Sequence, residues 1–410
     1  MLLDIMNTKS KKKYPELKVL WIGVFIDILG FFIILPYLPM FMIIYNTDPF
    51  MIGLLMATNA VFTFISAPIW GKASDHFGRK PMLIICQFGT MTAFLMLAFS
   101  DSLEMIFLSR MVDGIFGGNF TLVKSILSDI VPPKDRGLQM TNAGVVIIFA
   151  GLIGPGLGGI LSIYGILGPG LAAATMSLTT VCVTIFYLKE SWPKEKRIKK
   201  GKQHGVKIKL RKNKNAMYML TLWWFHTLAF MMFFITLALI IYLVLGLSVF
   251  EAGILFTIGG IFRAIIRFTL FKRMLRVLGE KRMIKIGLGL FIITFMFIGF
   301  ITNVVSYLIF TLLFSFAASC SRGPLIAKIT LSVSPREMGK INGWSSALDS
   351  LGQIFGPLLV GLIFGIYGPL WLGLLIGSIS IVAFIMNFKK IEIFDFTHVK
   401  SDLSKLEKKE

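Results

Sequence analysis

Seven ionisable side chains stand inside otherwise apolar runs: Asp27, Arg110, Asp113, Lys124, Arg263, Arg322 and Asp349. A charge at the centre of a bilayer costs ~2.5–3.5 kcal/mol, so five or six unpaired ones would cost on the order of 15 kcal/mol. That equals or exceeds the whole stability of a typical protein, ~5–15 kcal/mol. They must therefore be paired, protonated or in contact with water, the states through which a proton carrier cycles. Asp27 lies roughly nine residues into its run, ~13 Å at 1.5 Å per residue, which places it near mid-depth. There desolvation favours the neutral acid, and a neighbouring arginine favours the carboxylate. The tension suits a group that takes and gives up H⁺; a structural pair with Arg110 is the competing reading. Arg110 and Asp113, three apart, either neutralise each other or act as a modulator and a second proton site. Asp349 is again mid-depth, with Arg322 or Arg263 as candidate partners. His226, in "WWFHTLAF", titrates near neutral pH unless it is a packing residue. Lys124 sits near one end of its run and can snorkel. Trp223 and Trp224 suit either a flat ligand or a membrane interface.

The elements that must hold these groups are helices. The chain has 410 residues, 56% of them hydrophobic and 15% charged, which is far more apolar material than one soluble core buries. Runs of ~20 apolar residues, each close to the ~30 Å of hydrocarbon, recur throughout and exclude a barrel of short alternating strands. Twelve spans are expected, roughly 18–44, 50–70, 81–100, 104–128, 138–163, 167–188, 216–244, 249–271, 283–301, 304–329, 338–365 and 367–388. The stretch before Tyr14 has no signal-peptide core, so the first span is expected to be retained. The fold class is all-α and polytopic, with two six-helix bundles.

The net charge of +21 would suit nucleic acid, but its distribution does not. Lys and Arg are absent from "YNTDPF", "SDSLE", "YGILGPG", "GLSVFEAG", "TNVVSY" and "YGPLW", and they crowd the alternate connections. This is the positive-inside pattern, which puts both termini in the cytoplasm and makes anionic lipid the partner of the basic loops. Cys86, Cys182 and Cys320 all fall inside spans without pair spacing, as apolar packing residues do.

Residues 189–215 form the one long hydrophilic stretch between spans and divide them six and six. The chain thus parses as a tail (1–17), a bundle (18–188), a basic linker (189–215), a second bundle (216–388) and a second tail (389–410). The halves echo each other: "VPPKDRG" and "VSPREMG" stand 202 residues apart, and so do the Gly-Pro pairs at 154–155 and 356–357. Internal repeats of this kind let secondary transporters rock two halves about a site at the midplane.

"GKASDHFGRK" (71–80) connects the second and third spans. Gly71 is expected to end the second span, Gly78 to supply the positive φ of a turn, and Pro81 to open the next helix. Asp75 is within reach of Arg79. Gly71, Asp75, Gly78, Arg79, Lys80 and Pro81 resemble the loop between helices 2 and 3 of the major facilitator superfamily, roughly GxxxDxxGRKP. The resemblance implies a cytoplasmic latch that pairs with an acid at the inner end of helix 4 and holds an outward-open state; Asp129 stands where that acid would be. In the second half "KRMLRVLGEKR" keeps Gly279 but carries Arg276 near the acid's position, so the latch there is degenerate. "RMVDGIFGG" is similar to the family's RxxxGxxxG, with Arg110, Gly114 and Gly118. "GPGLGG" is similar to the antiporter-associated GPxxGG of helix 5, with Gly154, Pro155, Gly158 and Gly159; the glycine usual four residues earlier is Ala150. "DILGFFIILPYLP" (27–39) resembles the first helix of twelve-span drug:proton antiporters related to the tetracycline exporters. The resemblance covers 18–388 and implies a monomer without a cofactor in the plasma membrane.

Three functions remain in view. The leading one is proton-driven antiport that exports lipophilic small molecules, cationic ones among them, by alternating access. A symporter for uptake of an organic solute would use Arg110, Arg322 and Arg263 to bind an anionic group. A non-transporting receptor would need no titratable acids at the midplane. No Walker loop, GxSxG elbow or HExxH site appears, so an enzyme is not expected.

Overall fold

The computed structural model describes residues 14, 16–193, 195, 213–330, 332–333 and 337–389, and among them every regular element is helical. Hydrocarbon offers no water to unsatisfied backbone groups, so long apolar segments close their hydrogen bonds within themselves. In chain order the helices are α1 (Glu16–Ile34), α2 (Met40–Ile44), α3 (Pro49–Phe77), α4 (Arg79–Ala98), α5 (Leu103–Ile115), α6 (Asn119–Ile130) and α7 (Pro133–Leu161). They continue with α8 (Leu167–Tyr187), α9 (Lys214–Leu239), α10 (Val249–Ile265), α11 (Phe271–Met296), α12 (Val304–Thr330) and α13 (Met338–Met386). Among the described residues ten helical stretches are long and apolar enough to cross a membrane. Large apolar side chains such as Ile163, Phe186, Val277 and Ile385 are exposed around the outside, as a surface facing lipid requires.

Several expected boundaries move, each for a local reason. The first span stops at Ile34, not 44, because Pro36 and Pro39 lack the N–H that a helix interior needs. The second does not end at Gly71; with no proline or positive φ until Gly78, α3 carries on through Phe77. The span expected at 104–128 breaks at 116–118 into α5 and α6. The two last spans run on as the 49-residue α13, interrupted at Gly368 (φ 80°, ψ −175°). "KRMLRVLGEKR" is helical on both sides of Gly279. Most of the linker, the tails and Pro335 of the repeat lie outside the described residues.

Two seams join the halves, α3 against the first part of α13 and α7 against α10. Both rest on glycine meeting backbone. A Cβ on Gly253 would stand 2.6 Å from the Pro155 carbonyl oxygen and 2.8 Å from Gly159 Cα, and one on Gly361 2.5 Å from the Pro49 oxygen. Gly53 faces the Pro357 carbonyl in the same way. These residues are counterparts about 200 positions apart in the chain, so the repeat places equivalent contacts at both seams. Backbone cannot yield as a side chain would. Gly253→Ala is therefore expected to cost ~1–3 kcal/mol, read as a lower melting temperature of the detergent-purified protein.

One end of the bundle carries the Lys- and Arg-rich connections. At the other, the halves are packed together: Tyr242 Oη donates to the Pro36 carbonyl, and Tyr37, Leu38 and Phe41 share a buried cluster with Ile240 and Ile241.

Candidate functional site

At the basic end, α3 terminates on Gly78, whose φ of 105° and ψ of 154° suit a residue without a Cβ. That turn makes Arg79 the first residue of α4 and buries it to 5% exposure. Its Nε donates to Asp129 Oδ2 at 3.0 Å, one Nη to Asp75 Oδ1 at 2.7 Å and the other to the Ser74 hydroxyl. Glu190, which the sequence assigns to a solvated linker, accepts from the backbone N–H groups of Arg79 (2.9 Å) and Lys80 (3.3 Å). A carboxylate is thereby held at the positive end of α4. Ser191 donates to Asp129 at 3.3 Å, the Trp192 ring lies 5.7 Å from the Arg79 guanidinium, and Lys80 Nζ donates to the Ile185 carbonyl at 2.7 Å. Gly71 supplies its carbonyl to the Ser74 hydroxyl at 2.7 Å. The resemblance ties this latch to the outward-open state, yet its ion pairs are made here with the opposite end packed shut. In the second half Gly279 repeats the turn (φ 70°, ψ 164°), while Arg276 and Glu280 stand where Asp75 and Arg79 do, with charges inverted.

A lysine at position 79 has three donors but no rigid planar fork to aim them at two carboxylates and a hydroxyl. Arg79→Lys is expected to slow transport about tenfold with the protein still in the membrane, since its point charge keeps one pair; initial rates per folded protein check this.

Asp27, on α1, accepts from Asn119 Nδ2 at 3.2 Å and has no ion pair among the described residues. The pair with Arg110, the competing reading of Asp27, is not made; Arg110 bonds Asp113. Asn119 opens α6 directly after the break at 116–118, so the interrupted helix is what presents it to Asp27. The break exposes carbonyls that side chains of α3 take up: Ser66 Oγ donates to Gly114 at 2.9 Å and Trp70 Nε1 to Ile115 at 2.6 Å. A cavity of about 50 Å³ beside Asp27 is lined by Gln87, Asn119 and Thr184. The Gln87 and Asn119 amide oxygens are buried without partners, and the volume admits water. Its lining reaches Val19, Leu20 and Leu188 towards the basic end.

Arg110 and Asp113 do neutralise each other, Nη1 to Oδ2 at 3.2 Å, with Asn59 donating to the same oxygen at 2.8 Å. Arg110 is 2% exposed, lies 5.6 Å from the Phe94 ring and leaves one Nη without a partner. In the other half Arg322, not Arg263, pairs with Asp349 at 3.2 Å, and Thr227 donates to that carboxylate at 2.7 Å. The Arg322 guanidinium lies over Trp223 (4.9 Å) and Phe230 (4.4 Å). Trp223 is buried and donates to the Ser345 carbonyl, so it faces neither water nor an open ligand site. His226 packs among Trp223, Phe230 and Phe291, with Nε2 buried and unpartnered. Lys124 stands over the Phe120 ring at 4.6 Å.

The glycine motif of α7 divides its contacts. Gly154 and Gly158 meet the backbone of α1 at Phe32 and Ile33, and Gly159 meets Phe250 and Gly253 of α10. Pro155 lies inside α7 without ending it. Sequence reasoning did not find Asn59, Asn119, Thr227 or Glu190. A polar residue in an apolar span was a signal for the first three; nothing distinguished the last.

A family model described as Major Facilitator Superfamily matches residues 20–270 and 224–396. Multidrug resistance protein 2 of Bacillus subtilis (strain 168) is 28% identical over 379 residues, covering 86% of this chain and 91% of its own. The class H tetracycline resistance protein of Pasteurella multocida is 26% identical over 365 residues, 83% of this chain and 86% of its own. Among solved structures, that of the human organic anion transporter MFSD10 (TETRAN) superposes with a TM-score of 0.70 at 21% identity, over 93% of this chain and 100% of that one.

Proposed function

The chain belongs to the major facilitator superfamily, and from that premise we propose that this multi-pass membrane transporter is a proton-coupled antiporter exporting lipophilic small molecules by alternating access. The observation that carries the coupling is Asp27, a mid-depth carboxyl that is hydrogen-bonded by Asn119 and lacks a cationic partner among the described residues. Such a group is a functional candidate in hydrocarbon by default.

The reading has twelve crossings, with 103–130 as one interrupted crossing and α13 as two divided at Gly368. The basic connections lie in the cytoplasm with both termini, in a monomer of the plasma membrane whose basic loops meet anionic lipid. With the opposite end closed, both the Asp27 cavity and a cavity of about 640 Å³ between α10, α11 and α12 reach the cytoplasmic end. In this state Asp27 gives its proton to the cytoplasm and the protein takes up substrate. Rocking about the two glycine seams then opens the outer end, where substrate leaves and Asp27 is reloaded. The relatives' names speak of drugs, tetracycline and organic anions, so they do not choose one charge for the substrate.

Direction is tested in a susceptible bacterial host. The chain is expected to lower accumulation of a lipophilic fluorescent dye, and a protonophore to restore it. Raised accumulation would make the protein an importer.

A further inference from the structure

The cavity of about 640 Å³ lies between α10, α11 and α12 of the second half and facing residues of α7, and is of a size that holds drug-like ligands. Its charged lining among the described residues is Arg263, Arg267 and Arg322 with one acid, Glu280. Arg322 is committed to Asp349. Glu280 lies within electrostatic reach of Lys328 but makes no ion pair with it, and one of its carboxylate oxygens is buried without a hydrogen-bond partner among the described residues. Two guanidiniums are left without a carboxylate among the described residues. Arg267 sits 4.2 Å over the Phe271 ring, and Arg263 lies between the rings of Phe234 and Phe314 with its Nε buried and unpartnered.

Beyond Arg263 a second cavity, about 90 Å³, shares Ile148 and Arg263 with the first. Phe233, Leu237 and Phe256 make it apolar, and the buried hydroxyl of Tyr307 on its wall has no partner. Guanidiniums are costly to hold at membrane depth without a counter-charge, and they match carboxylate or sulfonate with paired donors. A lipophilic cation in the same place would meet two like charges.

Resting on the transport reading above, we propose that the substrate is an amphipathic organic anion, a carboxylate or sulfonate on an aromatic body. Its head lies between Arg263 and Arg267, and its body lies along Phe230 and Phe271 and into the inner cavity.

Pyrene-1-sulfonate and N,N,N-trimethyl-1-pyrenaminium share an aromatic body and carry heads of opposite charge, so equilibrium binding of each to the full chain in neutral detergent isolates the sign of the site. The anion is expected to bind at least tenfold tighter. Arg267→Gln and Arg263→Gln should each cut that preference about tenfold, whereas Arg263→Lys, which keeps the charge, should retain most of it. Equal binding, or tighter binding of the cation, would overturn the assignment. Displacement of the anion by dihexanoyl-phosphatidylglycerol at equal concentration would assign the site to lipid headgroups and overturn it as a substrate site. Proton flux in vesicles is read separately: anion preference without flux leaves the site standing and removes antiport, and flux without anion preference does the reverse.

Discussion

Asp27→Asn reduces proton-coupled uphill transport to the level of protein-free vesicles, while exchange of substrate down its own gradient persists. Asn119 Nδ2 lies 3.2 Å from the Asp27 carboxylate, and an amide oxygen at position 27 can still accept from it, so the local fold survives. What an amide cannot do is bind and release a proton between pH 5 and 9. Coupling needs that step; exchange does not. The measurement is substrate accumulation against a gradient, set beside counterflow in the same vesicles. Undiminished uphill transport would remove Asp27 from the mechanism.

Asp113→Asn is expected to destabilise the protein by ~3–5 kcal/mol, because it strands Arg110 as a buried charge. Arg110 is 2% exposed, has Asp113 as its single ion-pair partner among the described residues, and already leaves one nitrogen unpartnered. Removing the arginine as well takes away the stranded charge. The pair Asp113→Asn with Arg110→Gln should therefore recover to within ~2 kcal/mol of the parent. Melting temperatures of the three proteins in detergent decide it; a double variant no more stable than the single one would show that the two charges do not act as a unit.

The parts of this molecule written most plainly in its sequence are those that lipid dictates. Apolar runs had to be helices, and their basic and non-basic connections had to alternate. The turn at Gly78 and the Arg79 pairs with Asp75 and Asp129 were legible because their spacing is local or their spelling is shared by a family. The break at 116–118 was not, since its cause is distant: a Cβ on Gly89 would collide with the Phe116 ring, and Ser66 and Trp70 satisfy the freed carbonyls. Partner choice among buried charges was equally hidden. Whether Asp349 meets Arg322 or Arg263 depends on the rotation of α10 and α12 about their axes, which periodicity in uniformly apolar helices does not record. Glu190 lay in a run of charges that reads as solvated, and only the position of the α4 N-terminus gives it a role.

Coupled antiport is tested most directly by proton flux in proteoliposomes that hold a pH dye, energised by an imposed pH gradient and challenged with lipophilic anions and cations. The account predicts proton movement opposite to an added compound, lost in Asp27→Asn. Proton movement in the same direction as the compound, or none above empty vesicles, would contradict it.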